Sequence, residues 1–143
     1  MAVVRSRVDY ALARRATLAA LFTGRASSLD ICDAHPYLLR AAKFHGEATE
    51  LDCPVCKKER LTHVTYTYGD VFRAEMNGRV RQSGELEALA DEYGEFTVYV
   101  VEVCRSCGWN HLESSYVLAS TVARPARVPR GRRAAGNGAV AEE

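Results

Sequence analysis

The 143-residue chain has no apolar run near the roughly 20 residues that a membrane-spanning helix requires, so no such helix is expected. Its first residues form no continuous apolar segment ending in a small-residue cleavage site, and no secretion signal is read. An excess of one charge sign is missing too: 19 Lys+Arg stand against 18 Asp+Glu, a net of +1. With 48% hydrophobic residues, that balance excludes a wholly disordered chain and fits one globular domain. The cysteines number five, so a disulfide framework pairing all of them within one chain is impossible. A Gly-rich phosphate loop, a recognisable Ser/His/Asp set and a carboxylate pair in an acid/base setting are all absent, which points away from an enzyme. No internal repeat is visible.

The near-zero total hides a segregated layout. Residues 1–25 hold five arginines against Asp9, a net of +4. Residues 26–120 hold 9 basic and 15 acidic residues, a net of −6. Residues 121–143 hold five arginines against Glu142 and Glu143, a net of +3. An acidic centre between two arginine-bearing ends can contact phosphates or an acidic protein surface through those ends, or simply be solvated.

Periodicity predicts a helix over Val8–Phe22, with Val8, Leu12, Leu18, Leu21 and Phe22 on one face and Gly24 as its stop. A second helix is expected over Pro36–His45, started by Pro36, capped by Asp33 and closed by Gly46. Beyond Gly46, Leu61–Tyr68, Phe96–Val103 and His111–Leu118 read as strands, rich in β-branched and aromatic residues. Between the first two lies an excursion with a turn at Met76-Asn77-Gly78 and a short helix over Glu85–Asp91, with Ser83 as candidate cap. The expected fold is α+β. An N-terminal helical segment (1–46) precedes a three-stranded antiparallel zinc ribbon (47–120, with an insertion at 69–95). A basic, disordered tail (121–143) follows.

The chemistry lies in Cys53-Pro54-Val55-Cys56 and Cys104-Arg105-Ser106-Cys107-Gly108. Two residues between cysteines let one tight turn aim both thiolates at a single ion, and two such turns supply four soft ligands, which Zn²⁺ takes tetrahedrally. The 47 residues between the pairs exceed the usual interval, which the insertion explains. Two disulfides or a redox dithiol are the competing readings. With Cys53, Cys56, Cys104 and Cys107 all bound, one structural Zn²⁺ would keep no position open for water or substrate. His111 is an alternative ligand, although four cysteines suffice, and it otherwise reads, like the mid-strand His63, as an ordinary strand residue. Cys32, with His35 and His45, could form an incomplete second site; a small buried hydrophobe is the commoner role of a free cysteine. Trp109 either packs behind the second turn or is presented at its tip.

The stretches Val8-Asp9-Tyr10-Ala11-Leu12-Ala13-Arg14-Arg15, Cys32 through Ala42 and Cys53-Pro54-Val55-Cys56 resemble a small family of uncharacterised actinobacterial proteins with a C-terminal four-cysteine zinc ribbon. The resemblance spans about residues 5–120 and implies a cytoplasmic bacterial protein, but carries no activity with it. More loosely, such a ribbon is similar to those of RNA polymerase subunits, transcription factors and ribosomal proteins. The expected function is therefore a non-enzymatic accessory factor that docks on a nucleic-acid machine, RNA polymerase first and the ribosome second. Arg14, Arg15, Arg124, Arg127, Arg130, Arg132 and Arg133 are the candidate contacts to nucleic acid or partner. No membrane and no small-molecule substrate is expected. A thiol/zinc redox switch is a further alternative, with Arg105 and Lys57 beside the turns favouring thiolate reactivity.

Overall fold

The computed structural model describes residues 2–121; the expected disordered tail otherwise lies outside the described residues. The helices-then-ribbon arrangement is not what forms. The chain builds one curled antiparallel sheet of six strands, decorated by short helices. In chain order these are β1 (Ala2–Asp9), α1 (Ala11–Phe22), α2 (Ser28–Ile31), α3 (Pro36–His45), β2 (Glu47–Asp52), β3 (Arg60–Tyr68), β4 (Arg79–Arg81), α4 (Leu86–Tyr93), β5 (Phe96–Val103) and β6 (Asn110–Ser120). The strand order is β1-β6-β5-β3-β2, with the short β4 also pairing β3.

The three strands expected from the sequence form its centre. β3 and β5 pair without interruption from Thr62↔Val103 to Tyr68↔Thr97. β5 and β6 pair from Phe96↔Leu118 to Val103↔Asn110, with a bulge between Val100 and Val101. Two further strands flank them. β1 joins β6 (Ala2↔Ser120 to Asp9↔Ser114) and β2 joins β3 (Glu47↔His63). The chain therefore opens on a strand, and the first long helix starts at Ala11 rather than Val8, because Val8 pairs with Ser115 in the sheet.

Helix α3 lies where expected, with Pro36 in its first turn, but its cap is His35, whose Nδ1 accepts the Tyr37 N–H at 3.1 Å. Ser83 likewise does not cap α4: its N–H and hydroxyl both donate to Glu47 Oε2, tying the excursion to β2.

Each sheet face carries its own core. One face packs Phe96, Val98 and Leu118 against Phe72, Leu86 and Ala90. The other packs Val64 and Val103 under Ala41 and Ala42 of α3. A third cluster gathers Leu18 of α1, Leu61, Trp109, Cys53 and Cys104 at the end of the sheet where the cysteine turns lie. α3 covers only part of its face. Tyr66, Tyr68, Tyr99, Val101 and Leu112 line a shallow concavity of about 500 Å³ on the rest.

Candidate metal centre

The two cysteine turns sit side by side because the strands that carry them are paired. The first links β2 to β3 and the second links β5 to β6, while β3 and β5 are neighbours. The turns are built alike. Lys57 N–H donates to the Cys53 carbonyl at 3.1 Å, and Gly108 N–H to the Cys104 carbonyl at 3.0 Å. Cys53 N–H closes onto Glu59 O, and Cys104 N–H onto Trp109 O, both at 2.8 Å. The residue after each second cysteine is left-handed, Lys57 at φ 58° and Gly108 at φ 91°. Glycine adopts that conformation freely, whereas lysine does so against the steric preference of its Cβ.

This geometry turns backbone amides toward sulfur. Val55 N–H points at Cys53 Sγ, Cys107 N–H at Cys104 Sγ and Trp109 N–H at Cys107 Sγ, each at 3.4 Å. The Lys58 amide does the same for Cys56 and is the main reason its thiol is lowered to about 7. Burial instead pushes the Cys104 and Cys107 thiols up.

The four Sγ atoms lie within 4.8 Å of one another. Cys53–Cys107 and Cys56–Cys104 stand at 3.7 and 3.6 Å. A tetrahedral ion with metal–sulfur bonds of about 2.3 Å needs sulfur–sulfur edges of about 3.8 Å, so the set fits a metal ion. Cys53 and Cys104 are fully buried, and Cys56 and Cys107 half-buried.

Trp109 is fully buried and seals this end, as the packing alternative expected. Its Nε1–H donates to Glu102 Oε2 at 2.7 Å, and the same oxygen accepts Arg14 Nε–H at 2.7 Å. The buried carboxylate thus ties α1 to β5 and the metal end. Its role was not visible in the sequence, since Glu102 stands in an ordinary alternation of strand residues.

The remaining candidates separate. His111 stacks on Trp109, with ring centroids 5.9 Å apart, and its Nδ1 contacts Leu112 O at 2.8 Å; it is not among the four clustered groups. His63 Nε2 is buried without a hydrogen-bond partner. Cys32 does not assemble a second site with His35 and His45; its Sγ lies 3.5 Å from Cys107 Sγ. Among the candidate contacts, Arg14 is held by Glu102 and Arg15 is exposed. Arg124, Arg127, Arg130, Arg132 and Arg133 lie outside the described residues. No helix among the described residues is long and apolar enough to cross a membrane.

Fold and site together define a class: a curled antiparallel sheet whose two cysteine turns converge on one buried, metal-sized cluster. The chain belongs to a family of unknown function, DUF5318, whose match runs over residues 1–133. It is 52% identical over 135 residues to uncharacterized proteins of Mycobacterium bovis and Mycobacterium tuberculosis, covering 92% of this chain and 96% of each relative. The expected actinobacterial family is thereby borne out. No solved structure matches the chain.

Proposed function

We propose that this protein is a non-enzymatic accessory factor built around one structural Zn²⁺, which docks on a protein surface of RNA polymerase. The observation that carries the docking reading is the uncovered sheet face of Tyr66, Tyr68, Tyr99, Val101 and Leu112. Tyr68 is 46% exposed on it and meets Tyr99 edge-on at 5.5 Å. Tyrosine combines a large apolar body with a polar tip, which is why it is enriched at protein interfaces.

Zn²⁺ suits the four-thiolate set, and four protein ligands leave no open position for Lewis-acid chemistry. The metal then serves the fold, with binding and folding coupled. The net charge of −6 over residues 26–120 disfavours an RNA-rich surface, so polymerase ranks ahead of the ribosome as partner. The arginines of residues 121–143 would add phosphate contacts without sequence preference. This reading puts the chain in the cytoplasm, where thiols stay reduced and free to ligate.

The test is direct binding of the purified full chain to purified RNA polymerase and, separately, to ribosomes from the same organism. Capture of polymerase that is lost on combining Tyr68→Ala with Tyr99→Ala supports the proposal. Ribosome binding alone, or polymerase binding indifferent to both tyrosines, overturns it. Deleting residues 121–143 is expected to weaken association with duplex DNA and flatten its salt dependence; an unchanged slope of log affinity against log salt removes the tail from the interface.

A further inference from the structure

Five thiols, not four, meet at the end of the sheet. Cys32 follows α2, and its Sγ lies 3.5 Å from Cys107 Sγ, as close as the Cys53–Cys107 and Cys56–Cys104 pairs of the four-cysteine set. It stands outside that set, touching one corner of it. The approach is fixed by one backbone and one side-chain hydrogen bond. Ala34 N–H donates to Gly108 O at 3.0 Å, and Asn110 Nδ2 to Asp33 Oδ1 at 3.1 Å. A Cβ on Gly108 would come within 2.9 Å of the Cys32 carbonyl oxygen, so the segment can seat here only because residue 108 is glycine. Cys32 and Cys107 are both half-buried, whereas Cys53 and Cys104 have no exposed surface. A peroxide-sized oxidant therefore reaches Cys32, Cys56 and Cys107 before the sealed half of the site, and Cys107 is the one of the four with the Cys32 sulfur placed 3.5 Å away.

We propose that Cys32 and Cys107 form a thiol-oxidation site in which Cys32 resolves oxidised Cys107 and withdraws it from the metal-binding set. The oxidant class is a hydroperoxide. The Cys107 thiolate attacks the peroxide oxygen and the O–O bond breaks; Cys107 becomes a sulfenic acid, and the departing hydroxide takes a proton from solvent to leave as water. The Cys32 sulfur then attacks the sulfenic sulfur. The S–O bond breaks, and the expelled hydroxide leaves as a second water with the Cys32 proton. Two electrons pass from the two sulfurs to the peroxide, and one S–S bond remains. Three thiolates are left where four stood, and thiol reductants reverse the step. Cysteines 53, 56 and 104 are spared. A disulfide within the four would instead remove two ligands at once.

The inference rests on the four cysteines being metal ligands, and the experiment keeps the two apart. Full-length zinc-loaded protein is treated with hydrogen peroxide. Zinc release is followed with a chromophoric chelator, and disulfides are mapped by non-reducing peptide mass spectrometry. The expected product joins the Cys32 and Cys107 peptides, with loss of two hydrogens, and dithiothreitol restores zinc binding. With Cys32→Ser, zinc content before oxidation is unchanged, the cross-link is lost, and Cys107 proceeds to the irreversible sulfinic acid, so dithiothreitol no longer restores zinc binding. A wild-type disulfide joining Cys107 to Cys53, Cys56 or Cys104 overturns the proposal. So does a Cys32→Ser protein that recovers zinc as fully as wild type. If Cys32→Ser does not fold, the wild-type map decides alone. Protein purified without zinc would refute the metal reading, while the same map still reads the Cys32–Cys107 pairing.

Discussion

Two residues concentrate the local chemistry. Gly108 combines a left-handed backbone (φ 91°) with contact against the Cys32 carbonyl. Gly108→Ala meets both a conformational cost of about 1–2 kcal/mol and a backbone clash that no rotamer relieves. The expected result is a melting temperature lowered by several degrees together with loss of the Cys32–Cys107 proximity, read by thermal unfolding and thiol cross-linking. Lys57 adopts the left-handed conformation at the equivalent position, so what singles out glycine in the second turn is the approach of the Cys32 carbonyl. Glu102 is the other. It is 2% exposed and accepts hydrogen bonds from Arg14 and Trp109 through one oxygen. Glu102→Ala would orphan the buried indole N–H and leave a half-buried guanidinium unpaired, a loss of about 2–3 kcal/mol. Chemical denaturation should show a lower midpoint at unchanged slope; a shift within a few tenths of a kcal/mol would mean that water replaces both contacts.

At the scale of elements, what the sequence discloses depends on where each strand finds its stability. β3, β5 and β6 were legible because they lie at the centre of the sheet, where Val64, Val98 and Val103 must be buried and β-branched side chains suit that role. β1 and β2 were not. β1 is exposed along nearly all its length and carries Arg5, Arg7 and Asp9, while β2 reads Glu-Ala-Thr-Glu-Leu-Asp. Such edge strands are held by backbone pairing with a neighbour far along the chain, which leaves little pattern of its own, and their charges discourage pairing with other molecules. The helix expected to begin at Val8 absorbed the end of β1 for the same reason. The cysteine spacing, by contrast, needs no tertiary context, and the four-residue cluster was readable in full. The proximity of Cys32 was not, because it follows from how the segment after α2 docks on a turn 75 residues away. Gly46 tests how tightly these elements seat. It joins α3 to β2, and a Cβ there would lie 2.3 Å from Thr62 Cγ2 and 2.5 Å from the Ala42 carbonyl. Gly46→Ala should therefore lift α3 from β3 at a cost of about 1–3 kcal/mol, by overpacking rather than by backbone strain. Stability and the protection of Ala41 and Ala42 amides in hydrogen exchange would fall together.

Over the whole molecule, the proposed zinc site would divide stability between an end that depends on the metal and one that does not. The cluster of Leu18, Leu61 and Trp109 is built on Cys53 and Cys104 themselves, so its walls depend on the four thiolates being held together. Without an ion, four thiols crowd together, two of them with pKa values pushed up by burial, and the β2–β3 turn meets the β5–β6 turn at this cluster through weak sulfur–sulfur contacts. The opposite end has no such debt. Phe72, Leu86, Ala90, Phe96, Val98 and Leu118 pack α4 and its preceding loop onto β5 and β6 through aliphatic and aromatic contacts, and the Ser120 hydroxyl of β6 donates to Asp91 Oδ1 of α4 at 2.6 Å. Removal of zinc by a strong chelator, or its exclusion by Cys53→Ser or Cys104→Ser, should thus act unevenly. Hydrogen-exchange protection is expected to collapse first across residues 53–59, 104–109 and the turn of α1 around Leu18. Amides of Val98 and Ala90 should retain most of theirs. The Glu102 contacts to Arg14 and Trp109 lie on the boundary and should loosen with the metal end, releasing α1. Uniform loss of protection along β5 would show instead that the ion holds the whole sheet as one cooperative unit, and unchanged protection at Trp109 would show that the cysteine cluster needs no metal to stay closed.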